Sequence, residues 1–435
     1  MSTPSPLPSL RAIHVAYYVA VFLRWFAVAL PMALMVLLLQ SRGMSLLQVG
    51  LIMGLHSAVV VVLELPTGGL SDAIGRKRTA LLAQGIQLAS TVAFLLSFSF
   101  AGFAFAAVLM GTARALASGA LDAWFVDALL AHDEGYDLQP SLAHAGTLTI
   151  LGLALGAAAG GAIPTWFGSG LPADGTALLT PLALPFLVSF AVQAACIGVI
   201  ALFVHEVRAA AGDDAPRGLA AVGPILADAL RSTRDNRVVL LIMLTTAASG
   251  LAVAALETFW QPRFDTLLRA AGGEAPPLTF GLLMSGAFAV GVAGNLMSIP
   301  LSKALGKRYG AVAALGQLVG GAAMLVLAGR SGMPAAVAAF WAAYLANALT
   351  GSPIATVLND EVPSSRRSST LSVVSLAGFV GALVGSVAFG WLAQRVGIPA
   401  VWTVAGAILA ASTALMLTVD RLRARTAARE ADALA

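Results

Sequence analysis

Long apolar stretches alternate with short polar ones along almost the whole chain. Twelve of these stretches reach about 20 residues, the length that an α-helix needs to cross a bilayer. We number them spans 1 to 12, and they cover 12–40, 46–70, 79–99, 102–129, 140–167, 178–204, 238–261, 277–301, 309–329, 334–358, 370–393 and 398–419. The first is too long for the apolar core of a signal peptide. The pattern therefore predicts an all-α membrane protein with twelve transmembrane helices.

The composition supports this interpretation. Apolar residues make up 59% of the chain and charged residues only 11%, against about 25% charged residues in soluble domains. The single cysteine, Cys196, excludes an intramolecular disulfide or a multi-cysteine metal site. No nucleotide-binding loop or catalytic motif is recognisable. We therefore expect neither enzymatic activity nor a cofactor or metal, and we do not interpret the net charge of +4 as nucleic-acid binding.

One connection between spans is much longer than the others. It covers 205–237, contains a Gly-Asp-Asp-Ala-Pro run at 212–216, and carries leucines at helical spacing beside charged residues. These features predict a linker that contains an amphipathic helix on the membrane surface. The expected domains are an N-terminal six-helix bundle (1–204), the cytoplasmic linker (205–237), a C-terminal six-helix bundle (238–420) and a cytoplasmic tail (421–435).

The distribution of Lys and Arg predicts the orientation in the membrane. If the N-terminus is cytoplasmic, 18 of the 25 basic residues fall on cytoplasmic segments and 5 on the opposite side, and Arg24 and Arg114 lie within spans. Such a bias is typical of cytoplasmic loops. The segment 130–139 departs from it, because it should be cytoplasmic but contains no Lys or Arg. We expect a multi-pass protein of the cell (cytoplasmic) membrane with both termini in the cytoplasm.

The two halves of the chain resemble each other. The segment that begins Leu70-Ser-Asp-Ala-Ile-Gly has a counterpart in the second half, Leu301-Ser-Lys-Ala-Leu-Gly. Gly119 in span 4 has a counterpart in span 10, Gly351, at almost the same offset along the chain. A six-helix unit repeated in parallel is typical of two-bundle transporters, whose binding sites lie near the bilayer midplane.

The segment 68–78 also resembles a family signature. Its sequence, Gly-Gly-Leu-Ser-Asp-Ala-Ile-Gly-Arg-Lys-Arg, is similar to the loop 2–3 motif of the major facilitator superfamily (MFS), G-x-L-a-D-r-x-G-r-k. The resemblance implies the MFS fold, with Asp72 and Arg76 in a cytoplasmic gate and Gly68 and Gly75 shaping the turn. The family's central arginine is replaced by Ala73. We expect Asp72 near the start of span 3, where the helix dipole favours a carboxylate. Alternatively, these charges only set the topology and the turn.

Span 5 carries glycines at intervals of four residues, which allow two helices to approach closely. Gly152, Gly156, Gly160 and Gly161 resemble the drug/proton antiporter signature G-x-x-x-G-P-x-x-G-G, with Ala157 in place of the proline. Any tightly packed helix pair can use the same pattern, so ordinary packing is the alternative. Span 11 repeats the spacing loosely.

Ionisable groups inside the spans are candidate functional residues, because each must face a cavity or a partner. We predict that Glu64 and Asp122 carry a coupling proton and that Arg24 and Arg114 are their charge partners. Structural ion pairs are the alternative. In the second half, the candidates for the wall of a cavity are Glu257, Trp260, Tyr344 and Asn347, although Trp260 equally suits the interfacial aromatic belt.

These observations predict a secondary active transporter, most similar to drug/proton antiporters, that performs proton-coupled efflux of small lipophilic compounds by alternating access. The alternative is proton-coupled uptake of a small metabolite or an organic anion, with Arg24 and Arg114 binding the anion. A receptor or enzyme on the same fold is a third class. The expected partners are a small-molecule substrate, protons and the lipid bilayer. Sodium is left open as the coupling ion, and a monomer is expected because both halves lie on one chain.

Overall fold

The computed structural model describes residues 9–206, 236–329, 332–363 and 367–434. Over these residues, twelve helical segments are long and apolar enough to cross a membrane, which confirms the predicted spans. Spans 1 and 4 each consist of two helices, and a short 3-10 turn, Pro181–Ala183, precedes span 6. The helices are Leu10–Met32 and Met35–Ser41 (span 1), Leu46–Ile74, Arg76–Leu96, Phe100–Leu116 and Ala120–Leu130 (span 4), Leu138–Phe167, Leu184–Phe203, Arg237–Ala270, Pro277–Ala304, Tyr309–Ala328, Met333–Glu361, Arg367–Arg395 and Ile398–Leu434. Most of the predicted linker helix lies outside the described residues.

The chain divides into two compact units, which we describe separately. The first consists of the described residues of 1–38, 62–222 and 276–285. In it, span 1 packs mainly against spans 5 and 6, and span 3 packs against spans 4 and 6. Buried apolar side chains near the start of span 1 contact the second helix of span 4, and this core includes Ile13, Trp124, Phe125 and Ile200. The unit is therefore held together by helix packing around span 1.

The glycines of span 5 form the contact with span 1. A Cβ atom added to Gly152 would lie 2.9 Å from the Phe22 carbonyl oxygen, and one added to Gly156 or Gly160 would overlap the carbonyl of Phe26 or Leu30. No side chain larger than hydrogen fits at these positions without moving a backbone. The predicted close approach of span 5 to another helix is therefore confirmed, and that helix is span 1.

The second unit consists of the described residues of 39–61, 223–275 and 286–435. Span 9 packs against spans 10 and 12, and span 7 packs against spans 11 and 12. The looser glycine pattern of span 11 serves the same purpose here, because a Cβ atom on Gly385 would lie 2.9 Å from the Leu251 carbonyl oxygen of span 7. The Trp402 indole donates a 3.2 Å hydrogen bond to the Ala255 carbonyl and joins span 12 to span 7.

Span 4 is interrupted, and the single helix expected over 102–129 is wrong at its centre. Its first helix ends at Leu116 and its second begins at Ala120, because Gly119 adopts the left-handed conformation (φ +77°) that glycine tolerates best. The break places Asp122 in the first turn of the second helix. A carboxylate is favoured there by the helix dipole. Span 10 has Gly351 at the equivalent position but is continuous from Met333 to Glu361.

The turn between spans 2 and 3 is tighter than the sequence suggested. Span 2 continues to Ile74 and span 3 begins at Arg76, so Gly75 alone (φ +96°) reverses the chain. Asp72 therefore lies in the last turn of span 2, and its expected place near the start of span 3 was wrong. The reason is that span 2 continues past the predicted end of its apolar stretch, through the signature segment itself.

Candidate functional site

In the first unit, the predicted proton carrier Asp122 is held by a tyrosine. The Tyr17 hydroxyl of span 1 donates a 2.5 Å hydrogen bond to Asp122 Oδ1. The Tyr17 ring is stacked on Phe125, with 3.9 Å between the ring centroids and 7° between the planes. The Asp122 residue itself is exposed. The arrangement keeps one carboxylate oxygen fixed while the residue faces open space.

The predicted charge partners of this carboxylate are Arg24 and Arg114. Arg24 is within electrostatic range of both Asp122 and Arg114, but no ion pair within 4 Å joins Arg24 to Asp122 among the described side chains. The guanidinium carbon of Arg24 lies 5.2 Å from the Trp25 ring centroid. Arg24 also lines a small cavity of about 10 Å³ together with Gln84 of span 3. Arg24 therefore interacts electrostatically with one carboxylate and with a second arginine.

Glu64, the other predicted proton carrier, is half-buried on span 2. One helical turn further along, the Thr67 hydroxyl lies 3.0 Å from the Ala115 carbonyl oxygen of span 4. This contact brings span 2 against span 4 beside Arg114. Glu64 is thereby in the same part of the first unit as Arg114.

In the second unit, three of the four predicted cavity residues line one pocket. Glu257 of span 7 and Tyr344 and Asn347 of span 10 face a cavity of about 40 Å³. Glu257 lies in the interior of the helix Arg237–Ala270. Span 7 was predicted to end at residue 261, and the helix instead continues to Ala270. The full wall consists of Ser249, Ala252, Val253, Leu256, Glu257, Gly316, Gln317, Gly320, Met324, Ala343, Tyr344, Ala346, Asn347, Thr350 and Leu409.

Trp260 lies apart from this wall. Its side chain is buried at 1% exposure and packs against Phe264 and Phe340, with ring centroids 6.1 and 5.0 Å away. The structure therefore places it in an aromatic core rather than in the pocket wall or the interfacial belt.

The sequence analysis did not identify two residues that the structure places at these sites, Tyr17 beside Asp122 and Gln317 in the pocket wall. Tyr17 gave no signal, because a tyrosine near the start of an apolar span is common at membrane interfaces. Gln317 of span 9 is 1% exposed and lines the pocket, and neither of its side-chain amide atoms has a hydrogen-bond partner in the structure. A lone glutamine in an apolar helix usually joins two helices. The signal in the sequence is its offset from Gln84, which equals the offset from Arg24 to Glu257.

Arg76, which was predicted to belong to a gate, binds within its own half. Its Nε atom lies 2.7 Å from Asp127 Oδ2 at the end of span 4. The Glu206 carboxylate, just after span 6, accepts hydrogen bonds from the Arg76 and Lys77 backbone amides, at 2.8 and 3.2 Å. Glycine is favoured at position 75 by its positive φ of +96°, and a Cβ atom there would also lie 2.6 Å from a Glu206 carboxylate oxygen.

The side chain of Asp72 and the surroundings of Gly68 lie outside the described part of the structure. Their predicted roles in the gate therefore stay predictions.

The second half repeats the capping contact. Asp420 of span 12 accepts hydrogen bonds from the Gly310 and Ala311 backbone amides at the start of span 9, at 2.9 and 2.8 Å. One turn further along, Arg423 pairs with Asp360 at the end of span 10, at 2.8 Å. In both halves, an acidic residue at the end of the last span therefore holds the start of the third.

Twelve spans, two similar halves and ionisable groups within the spans define a multi-pass membrane transport protein. The chain matches the family model of the Major Facilitator Superfamily over residues 17–275 and 266–434, so it belongs to this superfamily and is a transporter rather than an enzyme. No curated protein sequence is significantly similar to the chain.

Solved structures share the fold at low sequence identity. A crystal structure of the nucleoside transporter NupG is 11% identical, with a TM-score of 0.74 over 94% of this chain and 98% of that one. A bacterial homolog to the human lysosomal transporter Spinster, in an inward-facing and unoccupied conformation, is 15% identical, with a TM-score of 0.68 over 95% and 96% of the two chains. These likenesses show the fold and leave the substrate open.

Proposed function

We propose that the protein is a proton-coupled secondary transporter that exports small, largely apolar compounds from the cytoplasm. In this proposal it works as a monomer in the cell membrane, with both termini in the cytoplasm. Asp122 carries the coupling proton, with Glu64 as the second carboxyl, and Arg24 and Arg114 tune the charge around them.

The observation that carries the proposal is the environment of Asp122. A carboxylate within a span is costly unless it has partners, and Asp122 has both a tyrosine hydroxyl at 2.5 Å and a nearby arginine. Its position beside the break at Gly119 leaves the residue exposed. A group that is stabilised when charged and still open to protons is suited to bind and release a proton in each transport cycle.

The pocket of the second unit supports a partly apolar substrate. Its wall is mostly made of alanine, glycine and aliphatic side chains, and the few polar groups come mainly from spans 7, 9 and 10. Small-molecule sites generally combine an apolar wall with a few polar groups that fix orientation. This composition supports a largely apolar substrate, since a strongly hydrated metabolite needs more polar contacts than the wall offers.

A second candidate is proton-coupled uptake of a hydrogen-bonding metabolite. It is favoured by the two amide side chains in the wall, Gln317 and Asn347, which can each donate and accept hydrogen bonds. NupG, which shares the fold, is a nucleoside transporter.

The test is substrate-driven proton flux in liposomes that contain the purified protein and a pH-sensitive dye. The solutes are a panel of lipophilic amines and a panel of nucleosides. Asp122→Asn and Glu64→Gln each remove one carboxyl, and Glu134→Gln makes the same change in an exposed loop as a matched control.

We expect lipophilic amines to drive proton movement, Asp122→Asn to abolish it and Glu134→Gln to leave it intact. Full flux in both Asp122→Asn and Glu64→Gln would refute proton coupling through these groups. Flux driven by nucleosides and by no lipophilic amine would replace efflux with the second candidate.

A further inference from the structure

The internal repeat relates two charged residues and two glutamines. The offset from Arg24 to Glu257 equals the offset from Gln84 to Gln317. Both are nearly the same as the offset between the repeated segments at 70 and 301 described above. In each half, the charged residue of the first span and the glutamine of the third line the same pocket. The two pockets are therefore equivalent positions of the repeated unit.

The equivalent pockets differ in charge. Arg24 in the first half has a carboxylate, Asp122, within electrostatic range. Glu257 in the second half forms no ion pair with a basic side chain anywhere in the described ranges. A charged carboxylate inside a membrane span requires a compensating cation or hydrogen-bond donors. The second pocket lacks the compensation that the first contains.

Gln317 also lacks partners. Within the described part of the chain, neither the oxygen nor the nitrogen of its buried side-chain amide makes a hydrogen bond. Gln193, which is equally buried in the first half, donates to Thr91 and Ser189 at 2.8 Å each. Buried polar groups in proteins are normally paired, and an unpaired one that lines a cavity indicates a site for an incoming polar group.

The pockets differ in size as well. The cavity at Gln317 has a volume of about 40 Å³ and the one at Gln84 about 10 Å³. The extra space is bounded by small residues, including Gly316, Gly320 and Ala346. A cavity needs roughly 10–15 Å³ of such volume to hold one water molecule, so the larger cavity has room for an incoming polar group.

We infer that the pocket between spans 7, 9 and 10 binds an amphiphilic amine. Its protonated nitrogen pairs with the Glu257 carboxylate, its hydrogen-bonding group contacts the Gln317 amide, and its apolar body lies against the alanines and glycines of the wall. The inference rests on the proposed function in one respect, namely that this amine is the solute that the protein transports.

The test is equilibrium binding to the full-length protein in detergent micelles, without any ion gradient. The probe is 4-(2-aminoethyl)benzamide, which has an ammonium group at one end and an amide at the other. Its neutral counterpart is 4-propylbenzamide, in which a methyl group replaces the ammonium. The variants are Glu257→Gln and Gln317→Leu, and Gln84→Leu makes the same change at the equivalent position of the first half.

We expect the native protein to bind the ammonium probe at least about tenfold more tightly than the neutral one, a difference of about 1.4 kcal/mol. Glu257→Gln removes this preference. Gln317→Leu weakens both ligands severalfold and keeps the preference, and Gln84→Leu changes neither. Equal affinity of the native protein for the two probes overturns the inference without reference to any variant. A preference that survives in Glu257→Gln overturns it as well.

These outcomes are separable from those of the proposed function. Asp122→Asn is expected to bind the ammonium probe like the native protein, because Asp122 lies in the other unit. If the probe binds as expected and proton flux is absent, coupling is wrong and the pocket stands. If flux is normal and the native protein shows no ammonium preference, the pocket is wrong and coupling stands.

Discussion

Replacing Asp420 tests whether a carboxylate from span 12 holds the start of span 9. Its two oxygens accept hydrogen bonds from the Gly310 and Ala311 amides, and its side chain is only 8% exposed. The substitution Asp420→Asn keeps the size of the side chain and replaces one acceptor oxygen with an NH₂ group. That group is a donor, so it faces a backbone N–H with which it cannot bond.

The magnitude follows from these contacts. One hydrogen bond to a charged group contributes about 1.5–3 kcal/mol, and a negative charge at a helix N-terminus contributes about 0.3–1 kcal/mol. Asp420→Asn is therefore expected to lower the free energy of unfolding by about 2–4 kcal/mol. Glu206→Gln removes the equivalent contact in the first half. Because Glu206 is exposed, solvent weakens its interactions, and the expected loss is about 1 kcal/mol or less.

The assay is reversible unfolding in mixed micelles by titration with sodium dodecyl sulfate, followed by tryptophan fluorescence. The native protein and both variants are compared under one lipid composition. The reasoning is refuted if Glu206→Gln costs as much as Asp420→Asn. It is equally refuted if Asp420→Asn stays within about 0.5 kcal/mol of the native protein, which is the range of ordinary surface substitutions.

Three further predictions concern packing and the gate, and the same unfolding assay measures all of them. Gly156→Ala introduces a methyl group against the Phe26 carbonyl and is expected to lower the free energy of unfolding by about 1–3 kcal/mol. The control is Gly146→Ala in the same helix, where the added methyl group meets no described atom within 4 Å. This control should be neutral or slightly stabilising. Trp260→Ala empties an aromatic core position and should cost about 3–5 kcal/mol; a loss below about 1 kcal/mol would contradict its burial. Arg76→Gln breaks a half-buried ion pair and should cost no more than about 1 kcal/mol, so a larger loss would show that the guanidinium does more than pair with span 4.

The spans were predictable because the membrane imposes a simple rule on the sequence. A helix that crosses a bilayer must be apolar over about 20 residues, and this condition is visible without any tertiary contact. The glycines of span 5 were informative for the same reason, since only close helix packing needs them at intervals of four. The partner of that surface, span 1, was not predictable, because hydropathy carries no information about which helices are neighbours.

The details of the candidate site depended on features that hydropathy does not report. Gly119 was recognised as a marker of the repeat, but a glycine inside an apolar run does not reveal whether it breaks the helix. The equivalent Gly351 in fact does not. The pocket residues Glu257, Tyr344 and Asn347 were found because polar groups in apolar spans are rare. Gln317 belonged to the same class, but its significance depends on the absence of partners, which only the fold shows.

The carboxylate caps have a consequence for the order in which the protein is made. Glu206 follows span 6 and Asp420 lies in span 12, yet each secures the start of a helix that leaves the ribosome three spans earlier. The first turn of span 3 must therefore wait for span 6 before its amides are capped, and span 9 must wait for span 12. Because neither cap uses a residue from the other half of the chain, the capped end of the first half can mature while the second half is still being synthesised.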